Sequence, residues 1–290
     1  MYFTCAHYKQ NIVSYLSETL LVINAKKLSE KPLFMQYNKV EGKDKGTLIF
    51  IHGNSSSSKI YDHIMLSEVI TSTKIAIELA GHGSNLNGFS NKDFTSSAYS
   101  GELLDFINSI EDDILLLGNS MGGHLAIEIA PKVKRLKALV IFGTPPLSKP
   151  INFEEAFIPV AALQTFLTED PTEEQIEEAA HIAVFNKAKA TEIIKDFEMA
   201  NPKVRSVLAA DLMNNNFQDQ KEIFINLNVK KFIIAGKQDP SVNPEYLKHV
   251  KDLCKDNCEI IFFDQCGHYP SLEKPEEFLK TIKSITTQIF

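Results

Sequence analysis

Ser120 stands in Gly118-Asn119-Ser120-Met121-Gly122, after the apolar run Ile114 to Leu117 and before a segment of helical spacing, Gly123 to Ala130. A serine with glycines two residues away on either side, at a strand-to-helix corner, is the pattern of a nucleophile elbow. Such a corner exposes the hydroxyl by holding the serine in a strained backbone conformation. The chain then passes so close to itself that only very small side chains fit at 118 and 122. The helix behind the serine directs free N–H groups and the positive end of its dipole toward developing negative charge. The chemistry this predicts is attack on a carbonyl, an acyl-enzyme, then water. Stripped of its strand and helix, the motif would read equally well as a glycine-rich turn with an incidental serine.

A serine hydroxyl is a weak nucleophile at neutral pH and needs a base within hydrogen-bond reach, itself oriented by a third group. Eight histidines are available. His268 lies just past the last β-branched run, Glu259 to Phe263, in Asp264-Gln265-Cys266-Gly267-His268-Tyr269-Pro270. His52 and His82 flank glycines after earlier runs and read as pocket floor, while His124 follows the serine on its helix and reads as packed there. His7, His63, His181 and His249 read as surface or helix positions. Asp239, in Gly236-Lys237-Gln238-Asp239-Pro240, follows the run Lys231 to Ala235. A carboxylate there would hold the imidazole in one tautomer and stabilise the imidazolium. Aspartate before proline is also a common turn pairing.

The elements that must carry these residues alternate. Thr47 to His52, Lys74 to Leu79, Ile114 to Leu117, Ala138 to Phe142, Lys231 to Ala235 and Glu259 to Phe263 are short apolar runs, each closed by glycine or a polar turn. Helix-period segments separate them, which predicts a mostly parallel sheet flanked by helices on both faces, an α/β fold. Tyr15 to Ile23 and Leu33 to Tyr37 alternate more and fit an antiparallel edge hairpin. From Pro275 onward Phe278, Leu279, Ile282, Ile285 and Ile289 share one helical face that should cover the sheet. Between 145 and 228 the strand rhythm stops and only helices are expected. Asp170-Pro171-Thr172-Glu173 reads as a capping box with proline at the first helical position, followed by the stripe Ile176, Ala179, Ala180, Ala183 and Val184. With the apolar stretch Phe157 to Leu167 before it, this insertion reads as a helical cap over a pocket. Residues 1–144 and 229–290 are then the two parts of the core.

Composition bounds the function. The 290 residues carry 30 Lys and Arg against 37 Asp and Glu, a formal charge of −7 without a basic run, which disfavours nucleic-acid or anionic-membrane partners. No stretch approaches the ~18–20 apolar residues of a membrane span, and the first residues lack the pattern of a secretion signal, so a cytoplasmic location is expected. The four cysteines are Cys5, Cys254, Cys258 and Cys266. Cys254 and Cys258 are the only close pair and read as ordinary thiols, so neither metal nor organic cofactor is implied.

Taken in order, His52-Gly53-Asn54-Ser55-Ser56-Ser57-Ser58, Gly81-His82-Gly83-Ser84, the elbow, Asp239 and His268 resemble the α/β-hydrolase superfamily over about residues 45–290. The resemblance implies the order nucleophile, acid, histidine, with the histidine after the final strand. That selects His268 as base and Asp239 as acid for Ser120. It also implies an oxyanion hole from the backbone N–H groups of Asn54 and Met121, with Gly53 permitting close approach of the substrate. Serine in place of the aspartate used by epoxide hydrolases and haloalkane dehalogenases points to acyl chemistry. Within the superfamily, HGNSSSS, the elbow followed by Gly-Gly-His and the downstream Gly143-Thr144-Pro145-Pro146 resemble N-acylhomoserine lactonases. Those enzymes place a substrate-clamping tyrosine where this chain has Ala179. The elbow also resembles meta-cleavage-product hydrolases, which split carbon–carbon bonds and whose usual Ser/Gly-Pro-Gly oxyanion loop is absent here. The expected substrate is a small ester or lactone, with Phe157, Leu163 and Phe166 lining an apolar acyl site. The alternatives are a carbon–carbon hydrolase or a receptor-like member that binds without turnover.

Overall fold

The computed structural model describes residues 35–290. Tyr15 to Ile23, Cys5 and His7 lie outside them. Seven strands form one sheet in the order β1-β3-β2-β4-β5-β6-β7. These are β1 Gln36–Val40, β2 Asp44–Ile51, β3 Ser72–Glu78, β4 Ile114–Asn119, β5 Leu136–Phe142, β6 Lys230–Gly236 and β7 Cys258–Phe263. Among the described residues only β1 runs antiparallel, against β3; the hairpin expected of Tyr15 to Ile23 with Leu33 to Tyr37 falls mostly outside those residues. All six runs read as strands from the sequence are strands.

The parallel strands are apolar along their length because helices cover both faces. Ile49, Ile51, Ile75, Ile77, Leu116, Leu139, Ile141 and Ile233 point to one face, packed by helices Ser96–Asn108, Met121–Ile129 and Pro244–Leu253. Leu48, Phe50, Ala76, Leu115, Leu117, Val140, Phe142, Phe232 and Ile234 point to the other. There Phe278, Leu279, Ile282 and Ile285 of helix Pro275–Ile289 lie on them.

Between β5 and β6 the chain forms helical segments Phe153–Ala156, Ala161–Leu167, Glu173–Ala183, Ala190–Met199, Lys203–Met213 and Gln220–Asn226. The start of Glu173–Ala183 differs from expectation. Thr172 is its N-cap, accepting from the Gln175 N–H (3.3 Å) while Gln175 Oε1 accepts from the Thr172 N–H (2.9 Å). Asp170 therefore does not cap, and Pro171 precedes the cap instead of opening the helix. Threonine and glutamine three residues apart satisfy two orphan donors reciprocally, which aspartate followed by proline cannot do.

Candidate active site

β4 ends at Asn119 and the next helix begins at Met121, leaving Ser120 alone at the corner with φ 50° and ψ −121°. Its N–H donates to the Phe142 carbonyl (2.9 Å), and its carbonyl accepts from the N–H groups of Gly123 (2.9 Å) and His124 (3.1 Å). The flanking glycines are obligatory. A Cβ on Gly118 would lie 2.4 Å from the Gly122 carbonyl oxygen, and one on Gly122 would lie 2.3 Å from that of Ile51. Gly53 brings the loop after β2 against the elbow, since a Cβ there would sit 3.1 Å from Ser120 Cβ. Among the described residues neither the Asn54 nor the Met121 backbone N–H has a hydrogen-bond partner.

His268 Nδ1 and Asp239 Oδ2 are 2.9 Å apart, with the imidazole 14% and the carboxylate 6% exposed. The other carboxylate oxygen of Asp239 accepts from the Ser241 N–H (2.9 Å), the Ser241 hydroxyl (2.9 Å) and the Val242 N–H (3.2 Å). Burial pushes the Asp239 carboxyl up, but the imidazole and the Ser241 donors outweigh it, and the net direction is down. Burial likewise opposes the imidazolium of His268, and the carboxylates of Asp239 and Glu273 outweigh that, raising its pKa. The His268 loop also meets the Ser120 corner. Asn119 Nδ2 donates to the His268 carbonyl (3.3 Å), and a Cβ on Gly143 would be 3.0 Å from His268 Cε1.

The remaining histidines are placed elsewhere. His52 and His82 are fully buried, packed ring to ring at 5.1 Å. His52 bridges the Gly53 carbonyl (2.8 Å) and the Leu79 N–H (3.1 Å). Burial, then the His52 charge, brings His82 down to about 3, so it is neutral at working pH. His124 bonds Gln220 Oε1 (2.7 Å), and burial lowers it to about 4. His63, His181 and His249 are exposed.

Leu163 and Phe166 gather with Tyr269, the neighbour of His268, in one apolar cluster with Ala180, Ala183, Val184 and Ile193. Phe157 lies apart, bridged to Val242 and stacked on Phe153. Ala179, where the lactonases place a tyrosine, is buried.

Several site neighbours escaped the sequence reading. The loop after β2 is strapped at four positions: Asn54 Nδ2 to the Phe166 carbonyl (2.5 Å), Ser55 Oγ from Arg205 Nη1 (3.3 Å), Ser57 Oγ to Asp196 Oδ2 (2.8 Å) and Ser58 Oγ to Glu78 Oε2 (2.8 Å). Gly83 of the Gly-His-Gly-Ser turn leaves room for that Glu78 carboxyl, 2.3 Å from where its Cβ would be. Ser241, bonded to both Asp239 and, at 3.2 Å, His268 Nδ1, gave no signal beyond its place two residues after Asp239.

A profile described as the alpha/beta hydrolase family matches residues 48–281. The chain belongs to that family. Two curated relatives are 2-hydroxy-6-oxononadienedioate/2-hydroxy-6-oxononatrienedioate hydrolases. The one from Pseudomonas putida is 26% identical over 61% of this chain and 64% of its own length. The one from Burkholderia vietnamiensis is 25% identical over 58% of this chain and 60% of its own. The matches thus span about three-fifths of those relatives. Among solved structures, the N-acyl homoserine lactonase AidH with N-hexanoyl homoserine lactone bound superposes with a TM-score of 0.77. It is 21% identical, with 87% of this chain and 93% of that one covered. An esterase from Rhodococcus sp. reaches 0.72 at 19% identity, covering 88% and 94%. Among the described residues no helix of this alpha/beta hydrolase is long and apolar enough to cross a membrane.

Proposed function

We propose that this hydrolase cleaves a neutral carboxylic ester or lactone through an acyl-enzyme on Ser120, with an N-acylhomoserine lactone as the sharpest candidate substrate. The observation that carries the reading is the 2.9 Å contact of His268 with Asp239 on a loop bonded to the nucleophile corner. In the proposed sequence Ser120 Oγ attacks the acyl carbonyl while His268 Nε2 takes its proton, and Asp239 steadies the imidazolium. The oxyanion is held by the N–H groups of Asn54 and Met121, each such donor being worth ~2.7–4 kcal/mol in the transition state. The proton then passes from Nε2 to the leaving alkoxide. In a lactone that alkoxide stays attached to the acyl group, and the ring opens. Water, activated by the same imidazole, releases the acid.

The inserted helices read as a cap, with Leu163 and Phe166 offered to an acyl chain. The solved lactonase and esterase neighbours support this substrate class by analogy of fold. A second reading, carbon–carbon hydrolysis of a dienedioate, rests on the two curated relatives. Charge speaks against it. Asp196, Asp239 and Glu273 are carboxylates buried around the site. The buried Arg205 guanidinium is already engaged by the carbonyls of Thr168, Glu169 and Phe197 and by Ser55. A dianion would meet those carboxylates and a guanidinium most of whose donors are already taken.

The test is an activity screen over p-nitrophenyl esters, acylhomoserine lactones and a coloured dienedioate, with Ser120→Ala as control and fluorophosphonate labelling as a site count. Stoichiometric labelling of Ser120 with ester or lactone turnover is expected. An intact protein inert to the probe would point to a binding protein, and turnover of the dienedioate alone to the second reading.

A further inference from the structure

Glu273 lies five residues after His268 and is 6% exposed. Its Oε1 accepts from the N–H groups of Gly267 (3.0 Å) and Tyr269 (3.3 Å), the two neighbours of the histidine. Its Oε2 accepts from the N–H groups of Phe185 (2.7 Å) and Asn186 (3.1 Å), just past helix Glu173–Ala183. The His268 N–H itself donates to the Ala183 carbonyl (2.9 Å). All three consecutive amides of the base loop are therefore tied to the junction with the inserted helices. The fit leaves no spare room: a Cβ on Gly267 would be 2.6 Å from the Ala183 carbonyl oxygen and 2.9 Å from Glu273 Oε1.

A buried carboxylate is costly unless its charge is met. Among the described residues no lysine or arginine pairs with Glu273, and backbone amides alone satisfy it. Its negative charge is thus left to act on what lies next to the loop it holds.

We propose that Glu273 is a positioning residue for the reaction, clamping the His268 loop to the inserted helices and setting the charge that the imidazole feels. This rests on the reading of His268 as the base. The other groups against His268 are the Asp239 carboxylate and Ser241 hydroxyl from the acid loop and the Tyr269 ring, while His124, on the helix behind the nucleophile and bonded to Gln220, feels its charge from farther off. His124 is neutral above about 4, and burial, then nearby carboxylates, holds the Tyr269 phenol far above the working range, so neither titrates with the base. Asp239 and Glu273 are the two charges that favour the imidazolium. Removing one of them must let His268 lose its proton at lower pH, and the acid limb of kcat/KM moves down with it. A side chain that only packs would lower the active fraction and leave the limb in place.

The experiment measures kcat and kcat/KM for p-nitrophenyl butyrate across the acidic and neutral range, per site titrated with a fluorophosphonate. Glu273→Gln is expected to lower kcat about tenfold and shift the acid limb down by about half a pH unit or more. Glu273→Asp keeps the charge but loses reach, so its limb should stay while kcat falls. An unshifted limb with full kcat per titrated site in Glu273→Gln overturns the proposal. So does failure of both variants to give titratable protein, which would make Glu273 a folding element alone. His268→Ala separates the two layers. Wild-type activity in that variant removes the base assignment, whereas an inactive His268→Ala beside a normal Glu273→Gln removes only the role of Glu273.

Discussion

Replacing Asp239 by asparagine changes one atom, and the surrounding hydrogen bonds dictate where that atom goes. One carboxylate oxygen accepts from the backbone N–H groups of Ser241 and Val242 and from the Ser241 hydroxyl, at 2.9, 3.2 and 2.9 Å. The hydroxyl can turn round, but the two N–H groups cannot. Setting an amide NH2 against them would leave both unsatisfied, at about 1–3 kcal/mol each. The asparagine oxygen must therefore keep that place, and its NH2 must face His268 Nδ1, which is 2.9 Å from the other carboxylate oxygen. Nδ1 then has to accept, so the imidazole proton moves to Nε2 and the lone pair that should take the serine proton is gone. Loss of the correct tautomer costs about 10⁴ in kcat in serine hydrolases of this chemistry. At 1.36 kcal/mol per decade that is ~5.4 kcal/mol of barrier. KM should change little, because Asp239 as the proposed acid does not touch substrate. Initial rates on p-nitrophenyl butyrate, normalised to folded protein by near-UV circular dichroism, measure it. An Asp239→Asn enzyme that keeps more than about a tenth of wild-type kcat would refute the tautomer account.

The other predictions probe the site from different sides. On the proposed mechanism His268 must be neutral to act, and its pKa is raised, burial being outweighed by Asp239 and Glu273. The acid limb of kcat/KM should therefore lie above ~6.5, where an ordinary imidazole titrates, and a limb below that value contradicts the charge balance. Gly122→Ala places a Cβ 2.3 Å from a backbone oxygen, so it should abolish soluble, fluorophosphonate-reactive protein; a variant that folds and labels normally would show that the corner is not so tight. Ser57→Ala leaves the Asp196 carboxylate without its hydroxyl donor at 2.8 Å, and should cost about 1–3 kcal/mol in urea denaturation at alkaline pH. Burial raises the Asp196 pKa, so acidification neutralises this group readily and the penalty should shrink; an equal penalty at both pH values would deny the charged pair.

The core was legible because strands buried on both faces have little freedom in composition. The runs at 47–52, 114–117, 138–142 and 231–235 are apolar at successive positions, and the register pairs them directly. Ser120 was legible because the corner excludes Cβ atoms at 118 and 122, a steric demand that writes itself into sequence. His268 and Asp239, which the fold brings within 2.9 Å of each other, were chosen by their position after strands, not by any pattern of their own. Ser57 with Asp196, Ser55 with Arg205 and Glu273 with Phe185 are pairs made by tertiary proximity across 139, 150 and 88 residues. Local periodicity carries no trace of such partners. Leu163 and Phe166 were expected in the acyl site with Phe157, but apolar character alone did not say which cluster each would join. The antiparallel pairing of Phe157 with Val242 decides that, and pairing is a property of two segments at once.

These long-range bonds share one feature with consequences for rate. The segment carrying one proposed oxyanion donor is tied to the inserted helices through the Phe166 carbonyl, Asp196 and Arg205, and the base loop through Glu273 and Ala183. A donor displaced by even a fraction of an ångström from the oxyanion loses much of its worth, because its value lies in being placed before charge develops. Contacts made by an acyl chain with Leu163 and Phe166 would therefore bear on the same residues that hold Asn54. Binding energy gathered far from the carbonyl then has a path into the transition state. On that logic a longer acyl chain should raise kcat as well as lower KM, up to the length that fills the cluster around Tyr269. Kinetics on a series of linear p-nitrophenyl esters separates the two constants. A series in which KM alone responds would mean that the inserted helices bind substrate without positioning the machinery beneath them.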